Sequence, residues 1–451
     1  MAISRLELAK LRGFVNPADV FLSIHRQDPN SFWLDRSTHP DEPVSIIGSA
    51  GSILKLGQDP LGEIANYLAK LKRSIASVPE QEIPFSFRPG LVGYLGYEML
   101  SGARDNQNLE PVAELMVVDR AMVFDHRDRH MYFIGLFETE AEFNNWHRAA
   151  LLRLTLVGGE LASYTQLTKE PKIVSSKLRH SPVKYLELIG QCKDHIASGD
   201  VYQLCLTNQI LIEHDADPLK TFLTLREQNP APYGSYIKIG KREIVSSSPE
   251  QFLKVTTEGK ISSKPIKGTR PRSLVPVEDE LLAKELRENQ KEQAENLMIV
   301  DLMRNDLGRV CEPGSVVVDK LFDVESYATV HQLVSTVSGT LQQGQNAVTA
   351  LKACFPAGSM TGAPKIRAME ILEELEAGPR GAYSGAIGYL GFDGSADLGM
   401  TIRTLVFEGS LASLGVGGGI TIDSSPDQEL QETMLKADAL LRTLGGNTWS
   451  H

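Results

Sequence analysis

Val201-Tyr-Gln-Leu-Cys-Leu-Thr-Asn-Gln-Ile-Leu-Ile212 is a long apolar and β-branched run, and three shorter ones follow it: Tyr233 to Ile239, Glu243 to Ser247 and Gln251 to Val255. Runs this short and this close predict a sheet built largely from hairpins. Just upstream, Ser181-Pro182 predicts a helix start, with Tyr185, Ile189, Cys192 and Ile196 at helical spacing until Gly199 ends the run. Downstream, helical periodicity extends from about Val277 to Met303 and recurs over Ala347 to Phe355, Pro364 to Leu375 and Pro426 to Leu444. The class is α+β.

Working outward, Gly158 to Arg179 is polar and lacks a sustained period, so the main boundary is placed there, giving regions 1–175 and 176–451. Gly90-Leu-Val-Gly-Tyr-Leu-Gly-Tyr97 nearly repeats as Gly385-Ala-Ile-Gly-Tyr-Leu-Gly-Phe392. The pair either marks equivalent strands in two halves or reflects how often glycine and aromatics recur in tight strand packing; both readings stay open.

The 451 residues, 42% of them hydrophobic, are ample for a large buried core. Lys and Arg number 46 against 57 Asp and Glu, a formal charge of −11 that argues against nucleic acid. Met1 to Gly13 has no continuous apolar segment, so neither a signal nor a membrane span is expected there and a cytoplasmic enzyme is the default. Cys192, Cys205, Cys311 and Cys354 lie far apart, against a disulfide framework or a structural zinc site.

The chemistry concentrates in a few segments. In Lys264-Pro-Ile-Lys-Gly-Thr-Arg-Pro-Arg272, Lys267 precedes a glycine that lets backbone approach a ligand closely. Most lysines are solvated surface charges, so this segment alone decides nothing. On the last helix Glu429, Glu432 and Lys436 fall within about 60° of one another, apart from an apolar stripe of Leu430, Met434, Ala437 and Leu441. That pattern suits a solvated face as well as a ligand site. Gly358 to Lys365 is no phosphate loop of the Walker type, because the lysine does not follow the second glycine; its Gly/Ser/Thr turn before Pro364 could still offer backbone N–H groups to an anion.

Five segments in order resemble the chorismate-utilising enzymes: Ser248-Pro249-Glu250, Lys264 to Arg272, Ala294 to Arg309, Gly358 to Lys365, and Gly417-Gly-Gly-Ile420 followed by Gln431-Glu432-Thr433. The resemblance covers about residues 181 to 444, with weaker matches such as Gly90 to Glu98 before it. It implies a large mixed α/β sandwich of two packed antiparallel-rich sheets with helices outside, an N-terminal region of the anthranilate synthase component I type over 1–175, and a chorismate-binding catalytic region over 176–451. Within the family, Lys267 resembles the aminodeoxychorismate synthases, since anthranilate synthases carry alanine there. Gln203 stands where isochorismate and salicylate synthases place a water-activating lysine.

The resemblance further implies roles. Lys267 is the covalent nucleophile, attacking C2 of chorismate, and must be neutral to do so; a nearby divalent cation and a desolvated pocket are expected to lower its proton affinity. Glu250 serves as acid and base, and His331 lies beside the ring hydroxyl. Gly268, Thr269, Thr361, Tyr383, Arg403, Gly419 and Lys436 are implied in substrate binding, with Tyr383 and Arg403 on the enolpyruvyl carboxylate. Glu295 and Glu432 are the implied Mg2+ ligands. Leu34, Ser37, Pro232 and Tyr233 resemble the family's tryptophan pocket, although Asp35 and Arg36 depart from its usual L-E-S pattern. No glutaminase motif is visible, so ammonia is expected either free or from a separate glutamine amidotransferase subunit. Rival readings are an anthranilate synthase component I, disfavoured by Lys267, and a non-catalytic chorismate- or tryptophan-binding regulator.

Overall fold

The computed structural model describes residues 4–78, 83–100 and 112–446. Two large, mostly antiparallel sheets pack face to face. The thirteen-stranded sheet has at its centre Asn30–Asp35 paired with Tyr233–Ile239. The ten-stranded sheet has at its centre Gly90–Leu95 paired with Ala386–Gly391. Strands from both sides of the Gly158–Arg179 segment therefore share both sheets.

Alternation along the strands sorts the layers. On Asn30–Asp35, Phe32 and Leu34 join Val92, Tyr94, Ile387 and Tyr389 in the core between the sheets. Trp33 faces the opposite way, into a core with Phe21, Phe222 and Leu441 from helices Pro17–Ile24, Pro218–Gln228 and Pro426–Thr443. Beyond the ten-stranded sheet, Ile64 and Leu68 of one helix and Ile299 and Met303 of another close a third core. Helix, sheet, sheet, helix is the expected sandwich.

The glycine echo is structural. Gly90–Leu95 and Ala386–Gly391 lie side by side with Gly93 opposite Gly388. A Cβ on Gly93 would lie 1.9 Å from Glu114 O, and one on Gly388 2.1 Å from Asp397 O, each on the next strand outward. The two copies thus occupy equivalent positions about a local two-fold, and neither tolerates a side chain.

Two local expectations change. The single helix from Val277 to Met303 is two, Pro276–Glu288 and Gln290–Gly308, because Asn289 is extended and its side chain caps the second helix by accepting from Glu292 N at 3.1 Å. The Gly158–Arg179 segment is no bare linker: it contains helix Glu160–Leu167 and strand Ile173–Leu178. Among the described residues no helix is long and apolar enough to cross a membrane.

Candidate active site

Lys267 lies on strand Ile266–Pro271 opposite Leu333 of strand Val330–Thr340. The register slips between Lys267 and Thr269, where Gly268 adopts φ +74°. A Cβ there would sit 2.8 Å from Leu286 Cδ1 and 2.9 Å from Glu292 Cδ, so glycine alone lets the strand press against the two helices behind it. Lys267 Nζ points to Glu295 Oε2 at 3.4 Å. Gly419, near the end of strand Leu411–Ile420, forms the facing wall: a Cβ on it would lie 3.0 Å from Lys267 Nζ and 2.5 Å from Gln203 Nε2. Both polar atoms of the Gln203 amide are buried without a partner. A buried, unsatisfied amide beside a lysine is a costly arrangement unless a ligand completes it.

Burial pulls the proton affinity of Lys267 down, but Glu295, with Cys205 and Glu250 behind it, outweighs burial and holds it above the ordinary lysine value. The expected lowering by the pocket is thus reversed, for a stated reason: the ammonium faces a carboxylate directly. Glu250 goes the other way. It sits after Ser248-Pro249, where the chain leaves one sheet for the other, and burial pushes its carboxyl up to about 7 against the opposing pull of Ser359 and Lys267. Ser359 Oγ donates to Glu250 Oε1 at 2.9 Å. A carboxyl poised near neutrality can both give and take a proton.

Acidic side chains from two helices converge beside Lys267. Glu432 accepts from Lys436 at 2.8 Å, and Lys291 lies 3.8 Å from Glu295 and 3.5 Å from Glu429. Burial, then Glu295, then Glu432 among its neighbours raise the carboxyl of Glu292, so negative charge from both helices meets at one place. Burial opposes but Lys436, Lys291 and Lys267 lower the carboxyl of Glu432. These oxygen donors suit a hard divalent cation. Among the described residues no three His, Cys, Asp or Glu side chains are arranged to hold a metal by themselves.

The other expected residues are more scattered. Lys436 Nζ also donates to Gly417 O at 3.1 Å, two residues from Gly419. Arg403 has φ +50°, burial lowers its proton affinity, and no carboxylate among the described residues pairs with it, which leaves it open to an anion. Tyr383 is buried against the glycine strand that carries Gly419, and burial holds its phenol well above the usual value. Thr269 is exposed. Thr361 turns its hydroxyl to Ala357 O and Gly358 O at 3.2 and 3.3 Å, and the N–H groups of Met360 and Thr361 close the same turn, so this loop offers less to an anion than its composition suggests. His331 joins a separate cluster, its Nε2 2.9 Å from Asp279 and its Nδ1 2.8 Å from Ser326. Neither ring nitrogen meets Lys267 or Glu250.

Around Tyr233 the tryptophan-like pocket is filled from within. The Arg36 guanidinium lies 4.3 Å from the centre of the Tyr233 ring, and the Tyr233 hydroxyl donates to Gln251 and Asp397 at 2.9 and 3.0 Å. Ser37 Oγ donates to Asp35 at 3.0 Å, and Leu34 is fully buried. The cavities left beside Pro232, Tyr233 and Arg36 are about 10 Å³ each, far below an indole. Arg36, the departure noted in the sequence, occupies the space. Sequence reasoning did not single out Ser359 or Glu292 individually: Ser359 was read only as part of its turn, and Glu292 not at all.

Comparison with known proteins agrees with the fold. Residues 29–442 match the family described as chorismate binding enzyme. The chain is 42% identical to the aminodeoxychorismate synthase of Streptomyces griseus over 94% of its own length and 62% of the relative's. It is 40% identical to anthranilate synthase component 1 of Methanothermobacter thermautotrophicus over 96% of its length and 92% of the relative's. The crystal structure of anthranilate synthase component I from Streptococcus pneumoniae TIGR4 superimposes with a TM-score of 0.75 at 29% identity, covering 96% of this chain and 92% of that one. The chain spans less than two thirds of the length of the aminodeoxychorismate synthases it matches.

Proposed function

The chain belongs to the chorismate-binding enzyme family, and from that premise we propose that it aminates chorismate to 4-amino-4-deoxychorismate, feeding p-aminobenzoate and folate synthesis, through a covalent adduct on Lys267. The observation that carries this reading is the placement of Lys267 Nζ against Glu295, Gly419 and the unpartnered Gln203 amide, within the field of a Glu250 carboxyl near 7. Residues 1–175 would act as framework of the anthranilate synthase component I type and 176–451 as the catalytic region.

In the first half-reaction the neutral Lys267 amine forms a bond to C2, the ring double bonds shift, and the C4 hydroxyl departs as water with the proton that Glu250 supplies. In the second, ammonia bonds to C4, the double bonds shift back, and the bond from C2 to Lys267 breaks. Glu250, now a carboxylate, accepts a proton from the incoming nitrogen and is reset. Two displacements at a conjugated ring replace one at a poor leaving group. Glu295 and Glu432 would hold Mg2+, which when bound neutralises the carboxylate that now keeps Lys267 protonated and draws a substrate carboxylate in. Arg403 and Tyr383 receive the enolpyruvyl carboxylate, Gly268 and Gly419 admit the ring, and Lys436 adds positive charge. His331 would act at the ring hydroxyl only after leaving Asp279. Ammonia would come from a separate glutamine amidotransferase subunit, in the cytoplasm.

Incubation of the purified chain with chorismate, Mg2+ and ammonium, followed by mass analysis, tests the reading. Aminodeoxychorismate is expected with ammonium and no product with glutamine alone. Anthranilate with release of pyruvate as the parent's product would replace this reading by its nearest rival.

A further inference from the structure

We propose that Arg380 is a positioning residue for this reaction: its guanidinium ties the turn that carries Ser359 to the strand that carries Gln203, and so fixes Glu250 against the reacting centre. The inference rests on the functional reading above. Arg380 lies outside every segment that pointed to chemistry, yet it is almost wholly buried and all of its guanidinium nitrogens are engaged. Nε and Nη2 donate to the two oxygens of Glu376 at 2.8 and 2.7 Å. Nη1 donates to Met360 O at 2.6 Å and Ser384 Oγ at 3.3 Å, and Nη2 also donates to Cys205 O at 2.9 Å.

Those two carbonyls decide the argument. Met360 directly follows Ser359, whose hydroxyl holds Glu250. Cys205 lies two residues beyond Gln203 on strand Gln203–His214, and Glu376 Oε1 accepts from Thr207 N of the same strand at 2.8 Å. One rigid fork therefore sets the distance between the acid and the unpaired amide, from behind and without touching either. The N-terminal region braces it: the Tyr97 ring lies 4.2 Å from the guanidinium, and Glu98 accepts from Arg380 N and Gly381 N at 2.6 and 3.1 Å. A buried ion pair needed only for stability would not have to reach both carbonyls. A lysine keeps the charge but cannot chelate Glu376 and span them.

The test compares Arg380→Lys, Ser359→Ala and their double variant in full-length protein with chorismate, Mg2+ and ammonium, reading kcat, the KM for chorismate and the pH profile of kcat/KM. The groups that act on Glu250 are few: the Ser359 hydroxyl donates to it and Lys267 is the charge that faces it, both holding its proton affinity down. If Arg380 acts through Ser359, Arg380→Lys lowers kcat at least about tenfold with KM within about threefold, and moves the limb belonging to Glu250 to higher pH. Ser359→Ala moves the same limb the same way, and the double variant moves it no further. An unmoved limb in Arg380→Lys, whatever the loss of rate, overturns the proposal and leaves a structural strut. Should Arg380→Lys fail to fold, Glu376→Gln keeps Arg380 in place with a weakened clamp and is expected to shift the limb partway; no shift there overturns the proposal equally. A parent enzyme that makes no aminodeoxychorismate would sink the functional reading instead, and is seen before any variant is read.

Discussion

The two halves of the sandwich share a framework and differ in what is built between equivalent strands. In the N-terminal region the chain passes from strand Ile53–Leu54 to the central strand Gly90–Leu95 with helix Pro60–Ser74 as its main helix on the way. In the C-terminal region, the passage from Gln251–Val255 to the equivalent central strand Ala386–Gly391 takes in strand Ile266–Pro271 with Lys267, helix Gln290–Gly308 with Glu295, and the Ser359 turn. Symmetry supplies the walls, and one half's insertion carries Lys267 and Glu295 of the candidate site. The glycines follow the same division: Gly93 and Gly388 exclude a side chain for the sake of sheet contact, whereas Gly268 does so to bring a lysine into place.

This contrast can be broken at its chemical side first. Lys267→Ala is expected to lower aminodeoxychorismate formation about a thousandfold or more and to abolish an adduct of chorismate less one water on the peptide containing residue 267, read by mass spectrometry of enzyme quenched at scarce ammonia. Ammonia entering the vacated space could then give some ortho-aminated product. Parent-like turnover in this variant would remove the nucleophile from the insertion. Next, Glu295→Gln or Glu432→Gln should cut turnover about a hundredfold at limiting Mg2+ while the thermal midpoint stays close to the parent's, since both are assigned to a metal and not to packing.

The framework side predicts matched losses. Gly93→Ala and Gly388→Ala should each destabilise by about 4 kcal/mol in chemical denaturation, because each Cβ meets a backbone carbonyl that cannot move aside. A silent variant on one side would mean that the halves are not equivalent. The smallest effect sharpens the border between them. The carboxyl of Glu250 is raised from 4.5 to about 7, so folding favours its protonated form, and the parent loses stability as pH rises between those values. Glu250→Gln should therefore stabilise the protein by at most about 3 kcal/mol above pH 7, with the gain vanishing below pH 4.5. A gain independent of pH would show that the carboxyl is not held up by burial.

How much was legible in the sequence follows the same line. The strands from Tyr233 to Val255 could be read because each is a short run rich in β-branched and aromatic residues, and the carboxylates on Pro426–Thr443 because helical spacing puts them on one face. The break at Asn289 was missed because the polar stretch Arg287 to Gln293 is made mostly of residues that favour a helix and holds neither glycine nor proline, although Asn289 with Glu292 three residues later is a helix-start signature. His331 and Thr361 were legible as residues and not as partners: what they bind depends on Asp279 and on a local turn, neither of which period or motif encodes. Arg380 was invisible for the opposite reason, since it acts through carbonyl groups that every residue possesses.

Gly419 brings the matter to a single atom. Where it faces Lys267 and Gln203, the gap between them is kept open by a methyl group that is not there. Mutational surveys that prune side chains one by one look for the harm done by removal, and at this wall such a survey has nothing to prune. Gly419→Ala, the most conservative codon change open to it, adds matter instead, and it would press on Gln203 and Lys267 while leaving every other side chain of the candidate site intact.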